Sequence, residues 1–266
     1  MTKLNETVIL ITGAGGGFGQ ELTRQLLQAG SRLILADLDK TILDQVSEGI
    51  KKEIGTGEII ASFGVDLAEE NGSGTLYNQV KALNIPIDIL INNAGIGVFG
   101  RMDEVPSTKW EQLMQVNLLA PMRLSYLFVP DMIARKKGHI VNISSLAGWL
   151  AAGGMTHYAA SKFGLRGFSE GLAKELKPYN VKVTAVYPFF SRTPILKSPQ
   201  YGTLAGDNGG FPERFATDPA LVMGRTIQAI LRDKPSVFPD AAGKGFYILD
   251  RYFPQLLNWI IYNFSK

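Results

Sequence analysis

The chain has 266 residues, of which 45% are hydrophobic and 19% charged, and its formal net charge is +3 at pH 7. Because this charge is mild and basic residues are interspersed with acidic ones, nucleic acid is not an expected partner. The absence of cysteine excludes thiolate chemistry and cysteine-ligated metals, and the two histidines form no recognisable zinc motif, so redox chemistry here requires an organic cofactor.

Six short apolar segments recur along the chain and predict buried strands. Their residues are continuously apolar rather than alternating, which is typical of strands covered on both faces of a parallel sheet. The segments are VILI (8–11), LILA (33–36), EIIASFGV (58–65), IDILI (87–91), HIVNI (139–143) and VKVTAVY (181–187).

Helical patterns lie between and after these strands. They cover residues 18–29, a segment with Ile42, Val46, Ile50 and Ile54 at four-residue spacing, 75–83, 107–136, 156–177 before Pro178, and 217–236 with Asp218 as cap. The alternation predicts an α/β fold, a single-domain Rossmann-type doubly wound parallel sheet flanked by helices over residues 1–266. In such a sheet, ligands bind beyond the carboxyl ends of the strands.

A glycine-rich stretch, TGAGGGFG at residues 12–19, joins the first strand to the first helix. Glycines allow a sharp turn and the close approach of a phosphate, which the helix N-terminus binds through its free N–H groups. The stretch matches neither G-x-G-x-x-G nor a P-loop, and the alternative interpretation is a flexible connection. We predict a dinucleotide site in which Gly13, Gly17, Phe18 and Gly19 bind the cofactor.

Asp37 ends the second strand, where a carboxylate accepts hydrogen bonds from an adenosine ribose. Its charge would repel a 2′-phosphate, and no arginine stands in the glycine loop or directly after Asp37, so NAD is predicted and NADP is less favoured. The competing role, capping the next helix, suits Asp39 and leaves Asp37 available.

The third and fourth strands also end in polar or small residues. Asp66 either bonds the adenine edge or caps the next helix, and both alternatives stay open. The stretch NNAG (92–95) suits the close approach of backbone to a ligand. The predicted cofactor contacts here are Asp66, Leu67, Asn93, Ala94 and Gly95.

The stretch YAASK (158–162) places a tyrosine and a lysine on one helix face. A tyrosine has an ordinary pKa of about 10 and is a weak acid near neutral pH. A lysine cation and an oxidised nicotinamide both favour the phenolate, so we expect them to lower the pKa of Tyr158. Ser145 follows the fifth strand, where it can hydrogen-bond a substrate oxygen. The alternative is an ordinary helix with an exposed Lys162 and a half-buried Tyr158.

Five motifs, in order and spacing, resemble the short-chain dehydrogenase/reductase family between about residues 7 and 193. They are TGAGGGFG, NNAG, Asn117 in VNLLAP, Ser145 in VNISSLAG, and YAASK. The resemblance implies that Tyr158 donates and accepts the proton, and that Lys162 binds the nicotinamide ribose and tunes Tyr158. Both residues thus count as cofactor contacts as well. It also implies that Ser145, rather than Ser144, orients the substrate oxygen, and that Asn117 supports a water relay.

The sequence departs from the family pattern after the sixth strand, in YPFFSRTPIL. Pro188 is present as expected, but Phe189 stands where the family has glycine, which narrows the pocket or reshapes the loop. Thr193 fits the threonine that contacts the carboxamide in the family. The resemblance further implies a homodimer or a homotetramer.

The loops after strands four to six are predicted to contact the substrate. Their side chains are mostly apolar and aromatic, which fits a lipophilic alcohol or ketone, although ordinary packing under a lid explains many of them equally well. Arg101, Arg192 and Lys197 keep a carboxylate or a carrier-bound acyl substrate as an alternative.

The C-terminal segment, about residues 244–266, repeats large apolar side chains every three or four residues, namely Leu249, Phe253, Leu256, Ile260 and Phe264. Charged residues and Pro254 interrupt it, so it is not a spanning helix. We favour a subunit interface or a cover over the pocket, with peripheral membrane contact as the alternative. The apolar run near the N-terminus is too short for a secretion signal, which predicts a cytoplasmic protein, membrane association being the alternative.

These observations predict an NAD-dependent oxidoreductase that interconverts a secondary alcohol and a ketone, with a steroid-, retinol- or fatty-chain-like substrate. The alternative within enzymes is a 3-oxoacyl reductase using NADPH, against which Asp37 argues. A regulator that binds NAD without turnover is disfavoured because Tyr158 and Lys162 are both retained.

Overall fold

A computed structural model describes residues 1–204, 216–257 and 259 of the chain. In this part of the chain, all six predicted strands are present and three strands of two residues each are added. The strands are β1 (Val8–Thr12), β2 (Arg32–Asp37), β3 (Glu58–Gly64), β4 (Ile89–Asn92), β5 (Phe99–Gly100), β6 (Gly138–Ile143), β7 (Val181–Val186), β8 (Gln200–Tyr201) and β9 (Ser236–Val237).

The helices also follow the predicted pattern. They are α1 (Gly17–Gln28), α2 (Lys40–Glu53), α3 (Gly72–Ala82), α4 (Ser107–Met114), α5 (Ala120–Arg135), α6 (Thr156–Leu176), α7 (Pro219–Leu231) and α8 (Ala241–Tyr252). The carboxylate of Asp39 accepts from the N–H groups of Thr41 and Ile42 and caps α2. Asp218 caps α7 through the N–H of Ala220, as predicted.

Among the described residues, seven strands form one parallel sheet in the order β3-β2-β1-β4-β6-β7-β9. The chain first adds strands on one side of β1 and then, from β4 onward, on the other side. The strand order therefore reverses between β1 and β4, and a ligand site is expected beyond their carboxyl ends at Thr12 and Asn92. The predicted doubly wound sheet of Rossmann type is confirmed.

Both faces of this sheet are buried, which explains the continuous apolar character of the strands. Successive residues of β1 point to opposite sides: Ile9 and Ile11 pack in one cluster with residues of α1, α2 and α7. Val8 and Leu10 pack in the other cluster with residues of α3, α5 and α6. The helices packed on the two faces of the sheet fix the positions of the carboxyl ends of the strands, where the candidate site lies.

The predicted helix over residues 107–136 is continuous but not uniform. A π-helical turn, Gln115–Leu119, separates α4 from α5. Such turns insert one extra residue and are frequent at functional sites. Apolar spacing did not reveal this turn, because an insertion of one residue leaves the flanking pattern helical.

The C-terminal segment departs from the prediction of one broad apolar face. Helix α8 ends at Tyr252, shortly before Pro254, and Leu249 is half-buried while Phe253 and Leu256 are exposed by 59% and 48%. The predicted members Ile260 and Phe264 lie outside the described residues. In the part of α8 that is described, the inward side chains are instead those of Phe246 and Tyr247.

Candidate active site

A cavity of about 1400 Å³ opens beyond the carboxyl ends of the strands at the β1–β4 reversal. Ligand pockets for one small molecule usually span about 300–1000 Å³, so this volume suits a dinucleotide together with a second molecule. The predicted site residues in its wall are Gly13, Gly17, Phe18, Asp37, Asp66, Leu67, Asn93, Ala94, Gly95, Ser145, Tyr158, Lys162, Pro188 and Thr193.

The glycine loop is shaped by two close approaches. Gly13 has φ +65°, and a Cβ there would lie 2.7 Å from the Cα of Ala94, so a side chain is excluded by conformation and by space. A Cβ on Gly17 would lie 2.9 Å from Cγ2 of Thr193. The loop after β7 therefore packs directly against the glycine loop. The N-terminus of α1 faces the cavity here, as anion binding requires.

Gly19 lies behind the turn rather than in the cavity wall. A Cβ at Gly19 would overlap the carbonyl oxygen of Gly13 and the backbone of Ala14. Its position therefore keeps α1 close to β1 and supports the loop from beneath.

Asp37 holds its carboxylate at the edge of the cavity with both oxygens engaged. Oδ2 accepts from the N–H of Gly15 at 2.8 Å, and Oδ1 accepts from the N–H of Leu38 at 2.7 Å. The nearby cation Lys40 is paired with Asp44 at 2.5 Å. Among the described residues, the cations in the cavity wall are Lys109 and Lys162, both from elements after β4.

The end of β4 is fixed to the glycine loop by side-chain hydrogen bonds, and Asp66 after β3 bonds locally. Nδ2 of Asn93 donates to the carbonyl oxygens of Thr12 and Gly13 at 3.0 and 2.9 Å. Asp66 accepts from the N–H of Ala68 at 2.8 Å, while α3 begins later with Asn71 as its cap. The alternative in which Asp66 caps that helix is therefore not what the structure has, and its carboxylate faces the cavity.

Tyr158 lies in the first turn of α6 with only 8% of its surface exposed. Burial raises the pKa of Tyr158 to about 12, and the nearby Ser145 side chain acts in the opposite direction. The sequence predicts that Lys162 and an oxidised nicotinamide together lower this pKa. In the protein alone the direction is the reverse, because desolvation of the phenolate is the largest contribution.

Lys162 is buried on the same helix face as Tyr158. Its Nζ donates to the carbonyl oxygen of Ile143 at 3.0 Å and lies 5.6 Å from the centroid of the Tyr158 ring. Burial lowers the pKa of Lys162 to about 8. The Ser144 hydroxyl donates to the backbone oxygen of Lys162 at 3.1 Å, so Ser144 is engaged by the helix and Ser145 is the serine that reaches Tyr158.

Asn117 sits in the π-helical turn and is fully buried, outside the cavity wall. Its Oδ1 accepts from the N–H of Ile96 at 2.8 Å, and its Nδ2 donates to the Ile96 oxygen at 2.9 Å. The side chain thus fastens the loop after β4.

The far end of the cavity is apolar. Its wall beyond Tyr158 comes from the loops after β4, β6 and β7 and includes Ile96, Val98, Phe99, Leu150, Met155, Phe189, Phe190, Ile195 and Leu196. Two of the three cations considered for an acidic substrate are engaged elsewhere. Arg101 pairs with Asp103 and Glu104, and Arg192 lies 3.6 Å from Asp218.

Two residues at this end were not identified from the sequence. Phe246 of α8 lines the cavity, and Asp240 accepts from the backbone N–H of Phe189 at 2.8 Å. No motif marks either residue, because both depend on how the C-terminal segment packs. The pattern DAAGKG, with an acidic residue before a helix, was the available signal for Asp240 as a cap.

Within residues 1–204, 216–257 and 259, no group of three or more metal-ligating side chains comes together. In the same ranges, no helix has the length and apolar character needed to cross a membrane.

The comparisons with known proteins agree with this geometry. The family model described as short chain dehydrogenase matches residues 7–201. Epidermal retinol dehydrogenase 2 of Homo sapiens is 33% identical over 231 residues, which cover 85% of this chain and 72% of that protein.

Solved structures are similar over nearly the whole fold. A short-chain dehydrogenase from Sphingobium yanoikuyae in complex with NADPH has a TM-score of 0.79 at 27% identity, covering 95% of both chains. A 3-oxoacyl-[acyl-carrier protein] reductase with bound NAD from Brucella melitensis has a TM-score of 0.73 at 26% identity, covering 88% of both chains.

Proposed function

Because this chain belongs to the short-chain dehydrogenase/reductase family and is thus an oxidoreductase acting on CH–OH groups, we propose that it is an NAD-dependent enzyme interconverting lipophilic secondary alcohols and ketones. The observation that carries the proposal is the convergence of Ser145, Tyr158 and Lys162 at the inner end of the cavity, between the glycine loop and an apolar wall.

The residues in the wall fit a dinucleotide. The glycine loop and the N-terminus of α1 would hold the diphosphate, Asp37 the adenosine ribose, and Lys162 the nicotinamide ribose. When bound, the oxidised nicotinamide supplies a hydride-accepting carbon and a positive charge beside Tyr158. Thr193, which packs on Gly17, would contact the carboxamide, as the family resemblance implies.

The chain's own groups then handle the proton. Ser145 orients the substrate oxygen, and Tyr158 takes the hydroxyl proton in oxidation or returns it in reduction. The Lys162 ammonium favours the phenolate form of Tyr158 by its charge. Asn117 supports the site by holding the loop after β4 in place.

The preference for NAD rests on Asp37. Its carboxylate is held toward the cavity by two backbone N–H groups, and the nearby Lys40 is neutralised by Asp44. The Asp37 carboxylate would repel a 2′-phosphate on the adenosine ribose. Among the described residues of the cavity wall, no cation lies at the Asp37 end to compensate that repulsion. Relatives of similar fold bind either NAD or NADPH, so this preference is a property of these residues rather than of the fold.

The substrate class is inferred from the apolar wall. Aliphatic and aromatic side chains predominate around the space beyond Tyr158, and Ser145 and Tyr158 supply polar groups at its inner end. Such a site favours a ligand with one oxygen function on an apolar body. The named activity of the human relative, a retinol dehydrogenase, is consistent with this class.

A 3-oxoacyl reductase is the second candidate, favoured by the structural similarity to the enzyme from Brucella melitensis. Lys109 and Gln112 lie at the cavity wall and offer polar contacts to an acyl carrier group. The ion pairs of Arg101 and Arg192 argue against it, because those cations are already compensated.

The test is steady-state turnover with NAD or NADP on three sets of compounds: steroid, retinoid and long-chain alcohols, short hydroxy acids, and 3-oxoacyl thioesters with the reduced cofactors. Turnover of the lipophilic alcohols with NAD supports the proposal. Turnover confined to 3-oxoacyl thioesters with NADPH would support the second candidate instead.

We also propose that the outer side of the C-terminal segment contacts a membrane surface or another subunit. Tyr252, Phe253 and Trp259 are exposed by 66%, 59% and 63%, and Lys244 and Arg251 of the same segment are exposed as well. Aromatic and basic side chains together suit the headgroup region of a bilayer. Sedimentation with anionic vesicles tests the first partner, and light scattering tests the expected homodimer or homotetramer.

A further inference from the structure

The loop after β7 is fastened to helix α8 by one buried carboxylate. Asp240 is only 3% exposed. Its Oδ2 accepts from the N–H of Phe189 at 2.8 Å, and its Oδ1 accepts from the N–H of Gly243 at 2.5 Å. Burying a carboxylate is costly unless it is hydrogen-bonded, and here the bonds and the N-terminus of α8 both compensate its charge.

This connection positions two phenylalanine rings in the wall of the cavity. Phe189 stands where the family pattern has glycine, and Phe246 projects from the second turn of α8. Their ring centroids are 5.2 Å apart at an interplanar angle of 41°, and both side chains line the cavity. The residue that departs from the family pattern is therefore packed against a residue of the C-terminal helix.

The next residue of α8, Tyr247, makes further aromatic contacts. The Tyr247 ring stacks on Phe238 at 4.4 Å and meets the edge of Trp149 at 4.7 Å. Trp149 directly follows the turn Leu146–Gly148, which begins after Ser145. Helix α8 is thus connected to the loops that carry the substrate oxygen site and the apolar wall, and its displacement would move Phe246.

We infer that Phe246 is a specificity-determining residue that limits the length of the apolar substrate body, and that Asp240 is the positioning residue that keeps Phe189 and α8 in register. This inference rests on the proposed function. The ligand is a secondary alcohol or ketone whose apolar chain ends against the Phe189–Phe246 pair.

The first test measures kcat/KM over a homologous series of straight-chain secondary alcohols for the wild type and Phe246→Ala. In the wild type, each methylene that becomes buried raises kcat/KM about fourfold until the chain reaches the ring pair. In Phe246→Ala we expect the rise to continue to longer alcohols, while KM for NAD stays unchanged. Tyr179→Ala, which removes an exposed ring remote from the cavity wall, should keep the wild-type profile.

The second test alters the connection without touching the cavity rings. Asp240→Ala removes both acceptor oxygens. Asp240→Asn retains one acceptor oxygen, so its KM for long substrates should lie between those of Asp240→Ala and the wild type. Gly243→Ala keeps the carboxylate, but its Cβ would lie 2.8 Å from Oδ1 and displaces it. All three are expected to raise KM for the longest wild-type substrates at least several-fold, with smaller changes in kcat and in KM for NAD.

The outcomes separate the two proposals. If the wild type turns over no alcohol of the series, the proposed function fails for this substrate class. If the wild type is active but Phe246→Ala keeps the same length profile, the inference is overturned for Phe246. If the folded Asp240 and Gly243 variants lose thermal stability while their length profiles stay unchanged, the carboxylate is merely structural and the positioning role is wrong.

Discussion

Tyr158 and Lys162 illustrate how burial sets the chemistry of single residues. Burial raises the pKa of Tyr158 to about 12 and lowers that of Lys162 to about 8, since each loses the solvation of its charged form. Near neutral pH, Tyr158 is therefore a proton donor, as ketone reduction requires. Alcohol oxidation requires the phenolate instead, and so its rate should depend strongly on pH.

We expect kcat/KM for alcohol oxidation to rise by up to about tenfold per pH unit between about pH 6 and pH 8, because the phenolate population rises in that proportion. The rise should flatten above about pH 8, where Lys162 loses its proton and no longer favours the phenolate. Ketone reduction should not rise over the same interval. Initial rates in both directions check this, and a flat oxidation profile would contradict the role of Tyr158.

Asp37 allows a second test at the residue scale. Asp37→Asn removes the charge that would repel a 2′-phosphate and weakens the bonds to a ribose. Charge-assisted hydrogen bonds are worth about 1.5–3 kcal/mol, so KM for NAD should rise about tenfold or more while KM for NADP falls. Asp131→Asn, on α5 outside the cavity wall, should leave both values unchanged. If Asp37→Asn keeps the wild-type ratio of the KM values for NAD and NADP, another group selects the cofactor.

The turn between β1 and α1 requires glycine at position 13, whereas helix α2 does not require the glycine at position 49. Gly13→Ala combines a positive φ with a contact of 2.7 Å to Ala94, whereas Gly49 lies exposed in α2 with open space around its Cβ. We expect Gly13→Ala to lose NAD affinity and stability, and Gly49→Ala to gain about 0.5–1 kcal/mol of unfolding free energy. Urea unfolding and NAD titration distinguish them. Equal behaviour of the two variants would refute the steric argument.

The elements also separate what could be predicted from the sequence from what could not. Buried strands such as β1 and β4 were predictable because their apolar runs need burial on both faces. The caps Asp39 and Asp218 were predictable from local chemistry. The turn Gln115–Leu119 was not, because one inserted residue leaves the flanking pattern helical. The pair β5 and β8 was not, because it joins two distant loops.

The same distinction holds for the candidate site. The positions of the site residues along the chain were predictable from motif spacing. The pKa direction of Tyr158 was not, because it depends on burial by surrounding loops. Phe246 and Asp240 were missed because only packing of α8 brings Phe246 to the cavity and Asp240 to the backbone of Phe189.

For the whole molecule, His139 couples stability to pH. It lies on β6 at 2% exposure, with hydrogen bonds of 3.0 and 2.8 Å to the hydroxyls of Thr2 and Thr184. Burial lowers its pKa from 6.5 to about 4; the Asp233 carboxylate acts in the opposite direction and Lys182 in the same one. Since the folded-state pKa is depressed, the unfolded chain binds more protons between these values, and stability falls as pH drops from about 6.5 to about 4.

His139 therefore contributes about 3 kcal/mol to the change in unfolding free energy between about pH 6.5 and about pH 4. We therefore expect the unfolding free energy of His139→Gln to depend less steeply on pH below about 6.5 than that of the wild type. His157→Gln, which alters the other histidine, should keep the pH dependence of stability that His139 contributes. Urea unfolding at about pH 7.5 and about pH 5 measures both slopes. Identical slopes for wild type and His139→Gln would show that another group is responsible.

The most direct test of the central claim follows hydrogen itself. The purified protein would be incubated with NAD and a long-chain secondary alcohol carrying deuterium on its carbinol carbon, and the reduced cofactor analysed by mass spectrometry. We predict one deuterium on the nicotinamide ring with the wild type and almost none with Tyr158→Phe, although that variant still binds NAD. Absence of deuterated cofactor with the wild type across the lipophilic alcohols, or equal labelling by Tyr158→Phe, would contradict it.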